Sequence, residues 1–526
     1  MSGCPVISIV LNAHTPFVRH PEQSPCAQES WFFEALSETY LPLLEVFDRL
    51  DRDHIPFRMG LSLSPILCHM LTDEFLIKRY LEYTDRQIEF GARELDRLPK
   101  RETIRETAKF FYDRILDRRA LFTGRYEGNL LKVFEYYQKK GRLELLTTGA
   151  THSFLPFYTP YPEAIQAEIE VAIGTYRSRF GKYPQGFWLP ELGWTGELDA
   201  WFRAYNFAYT IVETHGLVFG RPYAEKGSFY PVRTPSGVLI LGRDFYAQED
   251  IEAMASAPEY RDNRRDLGYE LPPELLTPFL GSQGGRTGTG YKCWSAGGGL
   301  YDPQKAARKA AEQARLFLQN RISRLREAGK FMKEPPLCLC AFEADTFGRR
   351  WYEGPEFLET LFRSLWDPQE YGNELQFMTP VEYLYKQDVG SFQVLMPGFS
   401  SSGVNGYAES WVDASNDWTY RHTMRAIERM TELADRFPDN TGLKERALNQ
   451  AAREILLAMA SDWSRMLYKQ ESSEYARNQI ESSLRNFTTI YEALGSNYIS
   501  TEWLTGLERR HNIFPHINYR VFRRKR

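Results

Sequence analysis

Short apolar runs rich in β-branched residues recur along the chain, and each run is followed by polar or acidic residues. The runs cover residues 6–11, 57–63, 143–146, 187–189, 207–212, 337–342 and 392–396. Stretches with helical spacing lie between them, and one has an apolar stripe formed by Ile165, Ile169, Ala172, Tyr176 and Phe180. Short strands that alternate with helices predict an α/β protein with a parallel sheet.

Chemically useful side chains follow these runs directly. His14, His152, Glu191 and Glu343 each come shortly after a predicted strand. Parallel β/α barrels place their active sites at this end of the strands. A doubly wound open sheet follows the same rule, but no glycine-rich phosphate loop supports a nucleotide fold, so the pattern favours a barrel.

The length of 526 residues exceeds what one hydrophobic core usually organises. We expect a barrel domain over residues 1–410, interrupted by a charged helical insertion at about 85–140 and a loop insertion at about 250–300. The second insertion contains the glycine-rich segment 281–290, which is typical of a mobile loop.

Strand-like runs stop after about residue 410, and residues 411–526 are expected to form an all-helical C-terminal domain. One predicted helix there has an apolar stripe formed by Ile455, Met459, Trp463, Met466 and Leu467.

Charge and cysteine content narrow the classes of function. The net charge of -4, with acidic and basic residues mixed, does not favour binding to nucleic acid or to an anionic membrane. Six cysteines without a CxxC pair indicate neither a disulfide framework nor a zinc knuckle. No apolar run approaches membrane-spanning length or resembles a signal peptide. We therefore expect a cytoplasmic protein with reduced thiols.

Glu191 lies between Trp188 and Trp194 at the end of an apolar run. Aromatic rings offer stacking faces to pyranose rings, and a carboxylate can attack or stabilise an oxocarbenium-like centre. A buried, hydrogen-bonded glutamate with a purely structural role is the alternative for this residue taken alone. The local pattern makes Glu191 a candidate nucleophile in sugar chemistry.

Several further motifs stand in a specific order along the chain. They are Ala13-His14-Thr15-Pro16-Phe17, Glu38-Thr39-Tyr40-Leu41-Pro42, Ala150-Thr151-His152-Ser153-Phe154, Trp188-Leu189-Pro190-Glu191, Phe347-Gly348, Trp351-Tyr352-Glu353-Gly354, Ser461-Asp462-Trp463 and Asn512-Ile513-Phe514-Pro515. Together they resemble glycoside hydrolase family 57, in particular its 1,4-α-glucan branching enzymes and related amylase-like proteins. The resemblance covers nearly the whole chain.

The resemblance implies an incomplete (β/α)7 TIM-like barrel, a helical C-terminal domain and a retaining double-displacement mechanism that needs no cofactor and no metal. It implies α-1,4-glucans such as amylose, glycogen and maltooligosaccharides as substrates, and a place in glycogen or storage-glucan metabolism. Glu191 matches the family nucleophile. Further positions match or align with residues expected to bind glucan, namely His14, Trp31, His152, Trp188, Arg243, Asp244, Arg286, Trp294, Trp411 and Asp462.

The chain departs from the family pattern at the acid motif. The family usually reads Asp-x-Glu-Leu-Phe-Gly-His-Trp-Trp, whereas this chain has Glu343-Ala344-Asp345-Thr346-Phe347-Gly348-Arg349-Arg350-Trp351. Positions two apart on an extended strand share a face, so both carboxylates can point into the cleft. Glu343 is therefore the candidate acid/base, and Asp345 is the reserve.

Other positions also depart from the family. Asn12 stands where the family has a histidine, and Ser402 stands where it has the tryptophan of a Ser-Ser-Trp-Gly motif. The Gly-Tyr-Pro-Gly loop that shields the intermediate in branching enzymes does not follow Arg243-Asp244. These departures keep two alternatives open: an amylase-like hydrolase and a catalytically silent glucan-binding protein.

A metal-dependent deacetylase on a similar barrel is a third alternative, because His14, His152, Glu213 and His215 lie near predicted strand ends. Metal ligands need a tight set of imidazoles and carboxylates. No HxxxH or HxxE pair is present, so this alternative is disfavoured. The sequence does not indicate an oligomeric state.

Overall fold

The computed structural model describes residues 4–23, 26–100, 102–279, 286, 288–366 and 375–525. Most of the glycine-rich segment predicted at 281–290 lies outside the described residues. The chain divides into two compact units. The first unit comprises Met1–Gly60, Met70–Glu144 and Phe245–Tyr383, and the second comprises Leu61–His69, Leu145–Asp244 and Leu384–Arg526.

The predicted strand pattern is confirmed for six of the seven apolar runs, with small shifts at the ends. The strands are β1 (Val6–Ala13), β2 (Met59–Leu63), β3 (Leu143–Thr148), β4 (Gly186–Trp188), β5 (Tyr209–Val212), β6 (Val232–Arg233), β7 (Leu239–Gly242), β8 (Leu337–Glu343) and β9 (Gln376–Phe377). The sequence patterns did not predict β6, β7 or β9, because these strands are short or lie outside the main runs.

Parallel pairing dominates the sheet, as predicted. In the first unit, β1 pairs in parallel with β8 and β9, and Asn12 lies opposite Glu343. In the second unit the order β3-β4-β5-β7 is parallel throughout, and β6 pairs antiparallel with β7. β1 is buried along its whole length, which is the expected pattern for strands with helices on both faces.

The prediction of a strand at residues 392–396 is wrong. Val394 and Met396 make only isolated bridges, to Arg233 and Arg221 respectively. The segment is extended and its apolar residues are partly buried, which explains the strand-like pattern, but it has no continuous ladder.

Helices fill connections between strands and also form most of the chain after the last strand. They are α1 (Glu29–Ala35), α2 (Leu41–Arg52), α3 (Pro65–Met70), α4 (Glu74–Arg97), α5 (Thr103–Thr123), α6 (Leu130–Lys139), α7 (Pro162–Phe180), α8 (Leu198–Ala204), α9 (Thr214–Val218), α10 (Phe245–Met254), α11 (Leu267–Glu270), α12 (Pro303–Gly329), α13 (Gly354–Trp366), α14 (Pro380–Tyr385), α15 (Asp417–Arg436), α16 (Gly442–Met459), α17 (Ser461–Lys469), α18 (Ser473–Ser496) and α19 (Thr501–Arg510). The apolar stripe predicted between residues 165 and 180 is buried on α7, as expected. Among the described residues, no helix is both long enough and apolar enough to cross a bilayer.

The C-terminal region is helical, as predicted, but the single helix expected through residues 455–467 is two helices. α16 ends at Met459 and α17 begins at Ser461, because Ala460 adopts extended backbone angles (φ -57°, ψ 130°). Ala460 forms a bridge with Ser153 in the segment that follows β3. Pairing with another segment therefore interrupts a helix that the local sequence would continue.

A π-helical turn at Leu36–Tyr40 joins α1 to α2 and explains two of the family motifs. Pro42 has no N–H, so it cannot donate the usual helical hydrogen bond to the carbonyl of Glu38. Gly348 packs against this carbonyl, and a Cβ at residue 348 would lie only 1.8 Å from the oxygen. Gly348 also has φ +135°, so both its backbone and its surroundings require glycine.

Buried charges hold this part of the first unit together. Arg261 binds Glu38 with two hydrogen bonds of 2.7 Å. Burial by itself would raise the pKa of Glu38, but the charges of Arg261 and Lys292 outweigh it and lower the pKa to about 2. The pair is thus ionised at neutral pH, and removal of either partner would leave an uncompensated buried charge.

Glu353 behaves in the opposite way. Its side chain is 3% exposed. Burial raises the pKa of Glu353 to about 7, although hydrogen bonds from Tyr301 and from the backbone N–H of Arg261 partly offset the shift. The folded protein therefore holds a proton on this carboxyl at pH values where the unfolded chain releases it.

We predict that Glu353→Gln stabilises the protein at pH 8 but not near pH 4.5. Because the folded pKa lies above the unfolded value, the wild type loses stability relative to the variant as pH rises from about 4.5 to about 7. The full difference is on the order of 3 kcal/mol. Melting temperatures of both proteins measured across this range test the prediction, and a difference that does not vary with pH would contradict it.

Candidate active site

Glu191 lies just beyond β4 in a strained backbone conformation. Its φ and ψ are 55° and 22°, and the next residue, Leu192, has φ 49°. Consecutive non-glycine residues in the left-handed region cost free energy, and they persist where surrounding contacts hold them. The backbone N–H of Ser402 donates to the Glu191 carbonyl at 2.7 Å. The side chain of Glu191 is 7% exposed.

His152 lies beyond β3, the strand next to β4, and also has a positive φ of 56°. Its ring is buried, and its Nδ1 lies 3.7 Å from Glu191 Oε1. The carboxyl ends of parallel strands meet at one edge of the sheet, which brings these two predicted site residues together as expected.

Glu168 on α7 holds the backbone before His152. Its fully buried carboxylate accepts hydrogen bonds from the N–H and the hydroxyl of Thr151, and its carbonyl accepts the N–H of Ala150. The sequence analysis did not include Glu168 among the site residues. One sequence feature could have identified Glu168: it is an acidic residue within the apolar stripe of a helix, one turn from Ile165 and next to Ile169.

Ser461 opens the Ser461-Asp462-Trp463 motif, but the sequence assigned no role to its side chain. Its hydroxyl oxygen lies 3.1 Å from Glu191 Oε1, 2.6 Å from the His152 carbonyl oxygen and 3.3 Å from His152 Nδ1. The motif does not give the role of this serine, because the break before α17 is what brings it to the site.

Glu343 and Asp345 belong to the first unit and have different surroundings. Glu343 ends β8, is partly buried, and accepts a hydrogen bond from Asn12 Nδ2 at 3.0 Å. Asp345 binds two guanidinium groups, Arg349 Nη2 at 2.7 Å and Arg350 Nε at 3.1 Å. Burial would lower the pKa of Arg349, but the charge of Asp345 and the hydrogen bond to it raise the pKa above its ordinary value.

The loop that carries Asp345 is fixed by the π-helical turn. The backbone N–H of Arg349 donates to Thr39 Oγ1 at 3.2 Å, one residue from the packing of Gly348 against Glu38. Arg349 stands where the family motif has a histidine, and Arg350 is a second partner of Asp345 that the motif comparison did not identify.

The aromatic residues predicted to bind glucan differ in exposure. Trp188 and Trp411 are 1% and 2% exposed, and their indole N–H groups have no hydrogen-bond partner among the described residues. Trp411 stacks on Phe154 with a centroid distance of 5.9 Å. Trp31 and Trp294 are partly exposed, and the guanidinium of Arg265 lies 4.2 Å from the Trp294 ring centroid. The stacking roles of these residues stay predictions.

The polar residues predicted to bind glucan are distributed over both units. His14 and Arg286 belong to the first unit, as do the candidate acids Glu343 and Asp345, whereas His152, Arg243, Asp244 and Asp462 belong to the second unit. Arg243 donates to Glu213, with Nε 3.1 Å from Oε2. Arg286 is exposed and donates to the carbonyl oxygens of Tyr269 and Leu271. Asp462 lies in the first turn of α17. Their substrate-binding roles also stay predictions.

Metal ligation has no geometric support in the part of the chain that the structure describes. No group of three or more His, Cys, Asp or Glu side chains there is arranged to hold a metal ion. The six cysteines are all free thiols.

Comparison with known proteins identifies the family. The model of glycosyl hydrolase family 57 matches residues 8–394. The chain belongs to glycosyl hydrolase family 57. A second model, which describes the C-terminal part of 1,4-alpha-glucan branching enzymes, matches residues 422–522. The first match covers Glu191 and His152, and the second covers Ser461.

Solved structures that are similar to this chain along nearly its whole length have the same fold. The alpha-amylase AmyC from Thermotoga maritima is 33% identical, with a TM-score of 0.91 over 99% of this chain and 100% of that chain. A family 57 branching enzyme from Pyrococcus horikoshii is 24% identical, with a TM-score of 0.87 over 99% of this chain and 97% of that chain. The predicted incomplete (β/α)7 barrel with a helical C-terminal region is thus confirmed.

A relative identified by sequence carries a branching-enzyme name. The 1,4-alpha-glucan branching enzyme TK1436 from Thermococcus kodakarensis is 27% identical over 510 residues, which is 93% of this chain and 73% of that protein.

We predict that Glu168→Gln lowers stability because it weakens charge-assisted hydrogen bonds in a fully buried setting. A loss of about 1–3 kcal/mol is expected from hydrogen bonds of this kind. Thermal unfolding measures the effect. Glu170→Gln on the same helix is the matched control, because Glu170 is partly exposed and binds Lys525 and Tyr205 at the surface. Equal changes in the two variants would show that burial of Glu168 has no special role.

Proposed function

We propose that the protein is a retaining α-glucan-active enzyme of the 1,4-α-glucan branching type. The observation that carries this proposal is the buried Glu191 carboxylate, held on a strained backbone beside His152 in a chain of family 57. The match of the C-terminal region to branching enzymes supports the transfer reaction over the other reactions of the family. Amylose, glycogen and maltooligosaccharides are the proposed substrates, with a role in storage-glucan metabolism in the cytoplasm.

Glu191 is the proposed nucleophile. In the first step, one of its carboxylate oxygens forms a bond to the anomeric carbon as the glycosidic bond breaks, and the leaving oxygen takes a proton from the acid. In the second step, a hydroxyl of an acceptor glucan attacks the anomeric carbon, gives its proton to the same acid/base residue and releases Glu191. The product retains the α configuration, and no cofactor takes part.

Electrostatics favours Glu343 over Asp345 as the acid/base. A general acid must hold a proton at the working pH, and nearby positive charges favour the ionised form of a carboxyl. Asp345 contacts two guanidinium groups, whereas Glu343 accepts a hydrogen bond from the neutral amide of Asn12. Asp345 is the proposed anchor for the two arginines.

The predicted glucan-binding residues complete the proposal. His14, His152, Arg243, Asp244, Arg286 and Asp462 supply hydrogen-bonding groups for sugar hydroxyls, and Trp31, Trp188, Trp294 and Trp411 supply aromatic surface. The buried indole N–H of Trp411, which lacks a partner among the described residues, supports a role in contacting a bound sugar.

The reaction type is tested by incubating purified protein with amylose, followed by enzymatic debranching and chain-length analysis. We expect new α-1,6 branch points with little increase in reducing ends. Glu191→Gln should abolish the activity and retain the melting temperature. Binding of maltooligosaccharides without turnover would instead identify a catalytically silent glucan-binding protein.

Hydrolysis is the second candidate reaction, favoured by the 33% identity to a protein named as an alpha-amylase. The same incubation distinguishes the two, because hydrolysis creates one reducing end for each bond cleaved and no branch point. An excess of reducing ends over branch points would identify an amylase-like enzyme.

The acid assignment is tested with a maltosyl fluoride donor, because fluoride departs without protonation. We predict that Glu343→Gln loses at least about a hundredfold in rate on amylose, in line with typical acid–base contributions, but retains most of the rate of fluoride release in the first turnover, which forms the glycosyl ester. Asp345→Asn is the matched comparison. If Asp345→Asn shows this donor-dependent pattern and Glu343→Gln does not, the two roles are reversed.

A further inference from the structure

We propose that Ser461 is a positioning residue for the nucleophile Glu191. Its hydroxyl binds Oε1, so that Oε1 becomes the carbonyl oxygen of the glycosyl ester and does not bond to the sugar. The inference rests on the proposed role of Glu191 and adds a residue to which no role has been assigned. It is carried by the bridge that the Ser461 hydroxyl makes between Glu191 and His152.

The contacts define the bridge. Ser461 is 2% exposed, and its Oγ lies 3.1 Å from Glu191 Oε1 and 2.6 Å from the His152 carbonyl oxygen. His152 Nδ1 lies 3.3 Å from the same Oγ. A hydroxyl has one proton to donate and two lone pairs to accept with. The His152 carbonyl oxygen can only accept, so the one hydroxyl proton is shared between this oxygen at 2.6 Å and Glu191 Oε1 at 3.1 Å, while a lone pair of Oγ can accept from His152 Nδ1.

The chain break before α17 places this hydroxyl. Ala460 pairs with Ser153, and the backbone N–H of Ser461 donates to the His152 carbonyl at 3.3 Å. Ser461 is the first residue of α17, so its hydroxyl lies at the N-terminal end of this helix. The partial positive charge of a helix N-terminus favours an ionised carboxylate nearby.

The hydrogen bond from Ser461 to Oε1 gives the two carboxylate oxygens of Glu191 different roles. When Glu191 forms a glycosyl ester, one oxygen joins the anomeric carbon and the other becomes the ester carbonyl. Oε1 accepts from Ser461 Oγ at 3.1 Å, a shorter contact than the 3.5 Å between Ser402 Oγ and Oε2, and a carbonyl oxygen continues to accept such a hydrogen bond. Oε2 then forms the bond to the sugar, and the hydroxyl of Ser402 lies 3.5 Å from it.

The hydrogen bond acts mainly on the second step. A carboxylate is a stronger acceptor than an ester carbonyl. As the acceptor glucan attacks, the electron pair of the C1–Oε2 bond returns to Glu191, and the growing negative charge strengthens the bond from Ser461 to Oε1. Ser461 therefore stabilises the transition state of release relative to the ester.

The test compares Ser461→Ala with Ser464→Ala, using wild-type protein as the reference and maltosyl fluoride as donor. Ser464 lies one turn further along α17, is similarly buried, and its Oγ lies 3.2 Å from the Tyr420 hydroxyl. We expect Ser461→Ala to lose roughly ten- to a hundredfold in kcat, in keeping with a hydrogen bond to a charged group. KM should fall or stay constant because the ester accumulates.

The decisive readout is a burst of fluoride release, equal to about one per enzyme molecule, in Ser461→Ala before a slow steady state. If the substitution only disturbed the structure, the size of the burst and the steady-state rate would fall together. The same decrease would then also appear in Ser464→Ala. Overlapping kinetics of the two variants, with melting temperatures preserved, would overturn the role of Ser461 alone. Absence of fluoride release and of branching in the wild type would overturn the proposed function, and the inference with it.

Discussion

A carboxylate removed from water must find hydrogen-bond donors, and the second unit is built around that requirement at Glu191. The segments that meet it come from distant parts of the sequence. Ser402 binds the Glu191 carbonyl, and Ser461 reaches its side chain. His152 completes the set on the neighbouring strand. Without these contacts, the left-handed backbone of Glu191 and Leu192 would relax, so the site and the surrounding loops depend on each other.

In the first unit, buried carboxylates are paired with the positive charges of arginine side chains. Pro42 cannot donate the i+4 helical hydrogen bond to the Glu38 carbonyl, and Gly348 packs against this carbonyl. The same turn binds Arg261 through the Glu38 carboxylate. The loop that follows β8 is held by a backbone contact, from the Arg349 N–H to Thr39 Oγ1, and by side-chain contacts. In the side-chain contacts, Asp345 binds both Arg349 and Arg350. The exchange of Asp and Glu relative to the family pattern is thus accompanied by a changed charge environment, in which the two carboxyls have unlike partners.

Much of the architecture was predictable because the spacing of apolar residues along the chain indicates which positions are buried. Six apolar runs became strands, and the stripe on α7 became a buried helical face. Placement of polar residues after strands correctly predicted that His152 and Glu191 lie together, since the carboxyl ends of neighbouring parallel strands meet. The errors have physical causes. Residues 392–396 have strand-like composition, but only isolated bridges pair them, and composition does not encode a partner.

The sequence by itself determined the alternation of strands and helices, the family and the identity of the candidate carboxylates, because these follow from local pattern and ordered motifs. The tertiary structure decided which groups hold those carboxylates. Ala460 is a strong helix former, yet its pairing with Ser153 breaks the helix and brings Ser461 to Glu191. Glu168 and Arg350 likewise gain their roles only from residues that the fold brings beside them. Local propensity cannot contain such information, because the contacts form between segments that are remote in the chain.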